Sequence, residues 1–438
     1  MNISSENYVR FFRQSSPYMH AHRGRTFVIM LPGEALEDTN FPNIIHDIAL
    51  LSSLGVRLVL VHGARPQISR RLELQKIEAS FHNDSRITDK SSLAAVIDAN
   101  GSMRVRMEAQ LSMGLINSPM HGSRIRVVSG NFVTARPLGV VDGVDFQNTG
   151  EVRRVDRKAI SQQLDDGHLV LLSSLGYSPT GEVFNLSAED VATRTAIALK
   201  AEKLILFGNS IGLQDEDGEL IRTMRPREAR SRLQSKQHQE FHRLLEAAVT
   251  ACDSSIVRTH IVSHCIDGAL LQELFTRDGF GTLITQDMAA YEQLRPATIE
   301  DVGGILKLIQ PLEEKGVLVR RSRKQLEREI NTFTVLVRDG MIVGCAALCS
   351  YPKDGCGELA CLVIHPEYRQ GKRGDVLLSA IEQQARQQKL KSLFVLTTRT
   401  AHWFIERGFA ASPLKTLPSE KQEAYNRPRN SKVFKKVL

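Results

Sequence analysis

The sequence lacks several features that would settle its class at once. It has no C-x-x-C pair: its six cysteines, Cys252, Cys265, Cys345, Cys349, Cys356 and Cys361, neighbour apolar strand-like segments, where a free thiol behaves as a small hydrophobe. A disulfide framework is therefore not expected, and no metal site is assigned. No apolar run approaches the roughly 20 residues needed to span a bilayer. The N-terminus, MNISSENYVRFFRQSS, has no continuous apolar core of the kind a secretory signal carries. A cytoplasmic protein with no membrane partner is expected. There is no tract of stacked aromatics and no zinc-finger spacing. The net charge of +8 is scattered, apart from a C-terminal cluster at Arg427, Arg429, Lys432, Lys435 and Lys436, so it does not read as a nucleic-acid footprint. It suits equally well a metabolite enzyme with polyanionic ligands.

What is present is an ordinary globular composition, 42% hydrophobic and 24% charged, over 438 residues, for which two domains are the prior. Residues 7–20 carry Tyr8, Val9, Phe11, Phe12 and Tyr18 and predict a short helix. Its apolar side packs on its own domain or on another subunit; both remain open. Arg25 to Leu31 reads as a buried strand, Ile44 to Leu54 as a helix and Val56 to Val61 as a second strand. This βαβ order implies a parallel sheet with right-handed crossovers. Further strands are expected at Ile125–Val128, His168–Leu172 and Lys203–Phe207, with a helix over Ala188–Lys200. Val133 to Val155 reads as a surface hairpin, and a last strand at His260–Ser263 precedes an amphipathic Ala269–Phe275. Residues 1–21 form an N-terminal helical segment, and 22–285 one α/β unit with a mostly parallel sheet in an αβα sandwich. A linker is expected over 286–294 and a second, α+β domain over 295–438.

The most informative stretch runs from Glu358 to Leu378. Leu359 to Ile364 reads as a buried strand, ended by His365-Pro366 because proline has no amide hydrogen for the ladder. Then comes a basic turn, Arg369-Gln370-Gly371-Lys372-Arg373-Gly374, and after it Val376, Leu377, Leu378, Ile381 and Ala385 at helical spacing. The first amides of a helix have no partner within it and lie at the positive end of its dipole, so a glycine turn there suits a pyrophosphate. Upstream, residues 331–338 and 341–348 predict two strands joined at Asp339-Gly340, a hairpin dipeptide. Downstream, Ser392 to Thr397 is a further strand, and Trp403 to Phe409 ends in Glu-Arg-Gly-Phe.

This order of elements, and the turn from Arg369 to Gly374, resemble the GCN5-related N-acetyltransferases (GNAT), whose acetyl-CoA loop reads Gln/Arg-x-x-Gly-x-Gly/Ala; Lys372 stands where the middle glycine is usual. The resemblance implies that acetyl-CoA is a cosubstrate, with no permanently bound cofactor. It would bind along Cys361, Leu362 and Val363 and at Arg369, Gln370, Gly371, Lys372, Arg373, Gly374 and Asp375.

The first half resembles the amino-acid kinase fold, especially acetylglutamate kinase. Met30-Leu31-Pro32-Gly33 stands where that fold has Lys-x-Gly-Gly, and His62-Gly63-Ala64-Arg65-Pro66-Gln67 where it has His-Gly-Gly-Gly-Pro-Gln. Asn185 to Asp190 matches its Asn-x-x-Ala-Asp segment, with Glu189 before the aspartate; no Gly-Gly-Met-x-x-Lys precedes the last strand. Phosphoryl transfer needs a cation at the transferring group and amides that approach it closely. Met30 has no charge and Arg65 is bulky, so the fold is expected without the kinase activity. Leu270 to Thr282 resembles the signature of arginine-inhibited acetylglutamate kinases. It implies an L-arginine site made by Glu273 and the carbonyls of the Gly279 and Gly281 turn, with Tyr18 as a contact. The histidine which that signature carries five residues ahead of the glutamate is replaced by Gly268.

The two halves together resemble the bacterial N-acetylglutamate synthase family. The resemblance implies acetyl transfer to the amine of L-glutamate, the first step of arginine biosynthesis, with L-arginine as feedback inhibitor and a homohexameric assembly. Glu358 is then the general base, working through a water, and Thr397 the hydroxyl that assists the departing thiolate. Backbone amides near Cys361, Leu362 and Val363, splayed at a strand bulge, would stabilise the oxyanion. Arg320, Lys421, Arg429 and Ser431 would hold the substrate carboxylates. Other readings are an acetyltransferase for a different amine with an amino-acid sensor domain, a non-enzymatic arginine sensor, and a bifunctional kinase.

Overall fold

In the computed structural model, residues 5–113, 120–233, 241–287, 292–369 and 372–438 are described. The chain divides into two compact units, Met1–Gln286 and Asp287–Leu438.

The first unit is built on an eight-stranded sheet. Its order is Thr223–Met224, Thr282–Thr285, Arg258–Ser263, Lys203–Gly208, Thr26–Leu31, Arg57–His62, Leu169–Ser173 and Val127–Val128. All neighbours are parallel except Thr282–Thr285 against Arg258–Ser263. The central strands are mostly apolar because helices cover both faces. Side-chain alternation divides them between two cores: Phe27, Ile29, Leu58, Leu60, Ile205 and Phe207 on one side, Val28, Met30, Val59, Val61, Leu204 and Leu206 on the other. This is the expected αβα sandwich. The expected hairpin is also present, as Val133–Pro137 antiparallel to Gly150–Val155 in a separate four-stranded sheet.

Sequence patterning missed several elements of this unit, helices Arg65–Leu74, Arg157–Asp165 and His242–Asp253 among them, and two more show why. Helix Lys90–Leu111 buries Ala95, Val96, Ala99, Met103 and Met107, mostly small or flexible residues that give little periodic signal. Asp89 caps it, accepting the Ser92 amide at 2.7 Å. Strand Thr282–Thr285 follows Arg258–Ser263, which is therefore not the last strand of the unit. The strand expected over 125–128 is reduced to Val127–Val128.

The second unit carries a seven-stranded sheet in the order Glu292–Pro296, Phe333–Arg338, Met341–Tyr351, Cys356–Ile364, Ser392–Thr397, Lys432–Val437 and Ala410–Ser412. Glu292 to Leu294, read from sequence as linker, instead open the edge strand that pairs with Phe333–Arg338. Asp339 and Gly340 both take positive φ, +44° and +75°, as a tight hairpin turn requires. Helix Arg373–Gln387 packs on one face through Leu377, Leu378, Ile381 and Ala385. Helix Val302–Glu314 packs on the other through Ile305, Leu308 and Ile309.

Among the described residues, no helix is long and apolar enough to cross a membrane. Ile381 is fully buried, and the sole tryptophan, Trp403, packs against the same core. Ile381→Ala should cost about 2–5 kcal/mol of second-unit stability, read as a lower denaturant midpoint of Trp403 fluorescence.

Candidate functional site

In the second unit, Cys356–Ile364 and Ser392–Thr397 are parallel neighbours, but their ladder pairs only Cys356 with Ser392, Gly357 with Leu393 and Glu358 with Phe394. Beyond Glu358 the two strands part, and Glu358 stands at the mouth of the opening. Its side chain is buried and its Oε2 lies 2.7 Å from the Lys421 ammonium. Cys349 is its cross-strand partner. Burial, and after it the Glu358 charge, pushes the Cys349 thiol up to about 11; the same two causes raise the Tyr351 phenol. Both neighbours are thus neutral, and Lys421 is the cation that faces Glu358.

Three residues further on, the strand is irregular. Ala347 pairs with Ala360 but Cys345 pairs with Val363, so one extra residue is inserted on the Glu358 strand. Cys361 takes φ +50°, a left-handed conformation that costs a β-carbon-bearing residue roughly 1–3 kcal/mol. This is the bulge expected around Cys361, Leu362 and Val363. The Arg321 guanidinium donates to Cys361 Sγ at 2.9 Å, while the Arg321 amide donates to Glu313 Oε1 at 2.9 Å. Burial pushes the Cys361 thiol up to about 11, with Arg321 pulling the other way. Arg320, the arginine singled out from sequence, is exposed instead. Two adjacent arginines in a loop have no periodicity to say which one turns inward.

Thr397 Oγ1 accepts the Thr400 amide at 3.1 Å and lies 2.9 Å from Thr400 Oγ1. The hydroxyl therefore closes a turn as well as lining the strand end. Arg429 donates to the Val317 carbonyl, and its Nε is buried without a partner. Ser431 is buried, its carbonyl accepting the Tyr425 hydroxyl at 2.8 Å.

The basic turn divides its residues between two jobs. Arg369 and Lys372 are exposed, and Lys372, at φ +57°, is the N-cap of helix Arg373–Gln387. Gln370 and Gly371 lie outside the described residues. The Arg373 side chain, expected at the cofactor, is bound to Glu292 at 3.0 Å, which also holds Arg338 at 2.7 Å. Burial alone would raise the Glu292 carboxyl, but these two guanidinium groups hold it below its ordinary range. Asp375, likewise expected at the cofactor, is paired with Arg407, which lies over Trp403 at 4.0 Å. Both side chains brace the turn, so only their backbone is left for a ligand. A β-carbon on Gly374 would sit 3.0 Å from Trp403 Cζ2, so packing restricts that position as well.

The first unit has its own buried carboxylate. Glu273 Oε1 lies 2.5 Å from His260 Nδ1, and Oε2 accepts the amides of Phe280 at 2.5 Å and Gly281 at 2.8 Å. Burial pushes the Glu273 carboxyl up, but His260 and the two amides outweigh it and hold it below its usual range. Burial first, then the Lys203 charge, lowers His260, so a neutral imidazole donates to the carboxylate. A β-carbon on Gly279 would approach Glu273 Oε2 to 2.6 Å, and one on Gly281 would collide with the Ile261 carbonyl. The Gly279 carbonyl, expected to be open to a ligand, accepts Arg222 at 3.1 Å. Helix Ser5–His22 docks on this region: Ser15 Oγ donates to the Phe275 carbonyl at 3.3 Å, and His22 Nε2 lies 2.8 Å from the Leu274 carbonyl. Tyr18 is half-buried on the docked side, its ring 6.3 Å from that of His22, whereas Phe11 and Phe12 are 46% and 55% exposed.

Comparison with known proteins agrees with both halves. Residues 25–263 match the amino acid kinase family and residues 304–409 the acetyltransferase (GNAT) family. Amino-acid acetyltransferases of Ectopseudomonas mendocina and Pseudomonas fluorescens are 58% and 59% identical to this chain, covering 99% and 98% of it and 100% and 99% of their own length. The chain belongs to the amino-acid acetyltransferase family. A solved structure of N-acetylglutamate synthase from Neisseria gonorrhoeae with coenzyme A and L-arginine is 38% identical, covers 98% of this chain and 99% of its own, and superposes with a TM-score of 0.84. The same enzyme with coenzyme A and N-acetyl-glutamate, at 39% identity over the same shares, gives 0.62.

In this amino-acid acetyltransferase the structure gathers Glu358, Lys421 and the Cys361 bulge at one strand opening, and Glu273 with Gly279 and Gly281 at another point. Sequence reading missed Arg321, His260 and Lys203. The last two are polar residues embedded in apolar strands, and that interruption was the available signal. His22 is held down at about 4, from 6.5, by burial and then by Lys203. A depressed imidazole leaves its stabilisation fully present above the unfolded value of 6.5, and that stabilisation is lost as pH falls toward 4. The stability gap between wild type and His22→Gln should narrow by up to about 3 kcal/mol across that window. Chemical denaturation followed by circular dichroism tests this, and a gap independent of pH would contradict it.

Proposed function

We propose that the protein transfers the acetyl group of acetyl-CoA to the amine of L-glutamate, giving N-acetyl-L-glutamate and CoA, as the first step of arginine synthesis. The observation that carries this reading is the parting of two parallel strands at Glu358, with a bulge on one side and a basic turn at the start of a helix. Parted strands offer unpaired backbone groups to an extended, amide-bearing ligand such as the pantetheine arm of CoA. Arg369, Lys372 and the first amides of the helix suit its phosphates.

The chemistry then runs through named groups. Glu358 takes a proton from the substrate ammonium, through a water, so that the nitrogen lone pair can attack the thioester carbonyl. Amides near Cys361, Leu362 and Val363 stabilise the oxyanion that forms. Collapse breaks the carbon–sulfur bond, and the Thr397 hydroxyl donates a hydrogen bond to the departing thiolate. Thr400 can supply the hydrogen bond that Thr397 then gives up. Arg320, Arg429 and Ser431 hold the carboxylates. Lys421 neutralises Glu358 in the free enzyme; the substrate ammonium replaces it there, which frees Lys421 to join the carboxylate contacts.

L-Arginine is the feedback inhibitor in this reading, bound by the first unit at Glu273 with Tyr18 and the Gly279–Gly281 turn. A guanidinium is a fan of donors and is well matched by a carboxylate and carbonyls. Inhibition requires that arginine bind one arrangement of a cytoplasmic homohexamer better than another. The kinase-like unit is catalytically silent: Met30 is buried and uncharged, and the loop after His62 carries Ala64 and Arg65. ATP-dependent phosphorylation of acetylglutamate should be absent.

CoA release from acetyl-CoA is the decisive assay. It should depend on L-glutamate and be suppressed by L-arginine. Glu358→Gln should lower kcat by roughly 10²–10⁴ while L-arginine binding persists. Glu273→Gln should keep turnover and lose the inhibition. Release without dependence on glutamate would point to another amine, and full arginine inhibition in Glu273→Gln would move the regulatory site elsewhere.

A further inference from the structure

Among the described residues, Asp38, His264 and Cys265 bring a carboxylate oxygen, an imidazole nitrogen and a thiol within 4.8 Å of one another. None of the three belongs to the Glu358 opening or the Glu273 cluster, and none lines the cavity bordered by Gly33, Gly63 and Asn185. They come from two loops. Asp38 follows the short helical turn Ala35–Glu37, after strand Thr26–Leu31, and His264 and Cys265 follow strand Arg258–Ser263. Cys265, read from sequence as a small hydrophobe, is exposed.

His264 is buried, and its Nε2 donates to Asn209 Oδ1 at 2.8 Å. Burial draws the imidazole below its ordinary value and outweighs Asp38, which raises it, so the ring is neutral and carries one proton. That proton is on Nε2, and Nδ1 presents a lone pair. Nδ1 lies 3.3 Å from Asp38 Oδ2 and 3.5 Å from Cys265 Sγ. Two acceptors therefore converge, with one thiol hydrogen to share between them. A divalent cation satisfies both and takes the thiolate as a third ligand.

The spacing fits a defined coordination shape. Tetrahedral zinc, with bonds of about 2.3 Å to sulfur and about 2.0 Å to nitrogen and oxygen, has edges of about 3.5 Å between S and N and about 3.3 Å between N and O. The Sγ–Nδ1 and Nδ1–Oδ2 distances match these edges. The surrounding hydrogen bonds orient each ligand. Asn209 fixes the imidazole tautomer, the Asn40 amide donates to Asp38 Oδ1 at 2.8 Å, Asn40 Nδ2 donates to the His264 carbonyl at 2.9 Å, and the Cys265 amide donates to Ser263 Oγ at 3.2 Å. Thiolate and imidazole donors favour zinc over magnesium or calcium.

We propose that Asp38 Oδ2, His264 Nδ1 and Cys265 Sγ form a binding site for a zinc-class divalent cation, with water in the fourth position. The Cys265 thiol proton leaves to solvent as the cation binds. The cation ties the loop after strand Thr26–Leu31 to the loop that leads into helix Ala269–Phe275.

The test is titration of the chelator-treated full-length protein with Co²⁺, a spectroscopic stand-in for Zn²⁺. A saturable thiolate-to-cobalt charge-transfer band is expected, together with the visible bands of a tetrahedral site. Zn²⁺ should displace the Co²⁺, since it binds such donors more tightly. Cys265→Ser, at an exposed position, should lose the charge-transfer band. Asp38→Asn keeps the thiol and should weaken Co²⁺ binding at least about tenfold. Zn²⁺ should also raise the Tm of the wild type and leave that of Cys265→Ser unmoved. If Cys265→Ser does not fold, Asp38→Asn decides alone. No charge-transfer band, a band that survives in Cys265→Ser, Co²⁺ affinity unchanged in Asp38→Asn, or an equal rise of Tm in wild type and Cys265→Ser would each overturn the proposal.

Discussion

The second unit depends on one incomplete ladder. The strands Cys356–Ile364 and Ser392–Thr397 share three paired positions and then separate. Backbone amides and carbonyls beyond that point must find partners other than each other, since buried backbone polar groups are rarely left unpaired. The bulge at Cys361 sits on the segment that has lost its neighbour, and Glu358 is the last residue before the loss. Arg321 reaches the bulge from one side and Lys421 reaches Glu358 from another. The basic turn is braced in its turn by Arg373 on Glu292 and Arg407 on Asp375.

Both units bury a glutamate, and they stabilise it differently. Glu358 faces a flexible ammonium, a partner that can leave without breaking the fold. Glu273 is held by an imidazole and two backbone amides whose positions are set by a glycine turn with no room for a β-carbon. The first arrangement suits a group that must exchange protons and partners. The second suits a preformed acceptor for a cation, with little reorganisation when one arrives.

The kinase-like unit keeps its sheet with an uncharged residue at Met30. Its sheet is specified by alternation alone: Phe27 and Ile29 face one core, Val28 and Met30 the other. Met30, at the place of a catalytic lysine, is fully buried. Nothing in the packing of that strand requires a charge at its end.

Much of this fold is legible in the sequence. Apolar runs of strand length, the Asp339-Gly340 turn, and the strand–turn–helix from Glu358 to Ala385 are local signals, and local signals survive in one dimension. Helix Lys90–Leu111 was not legible, because alanine and methionine packed at close range leave weak periodicity. Glu358, Glu273 and the Cys361 bulge are readable from sequence, while the contact of Arg321 with Cys361, His260 on Glu273 and the Lys203 charge near His260 are not. The sequence by itself determined the two units and their order, since each rests on residue type at a fixed spacing. Only the tertiary structure decided which cations meet which carboxylates. Lys421 is 63 positions from Glu358 in the chain, and Arg407 is 32 from Asp375. Such pairings arise from strands and loops brought together by burial of apolar surface, and no local pattern encodes them.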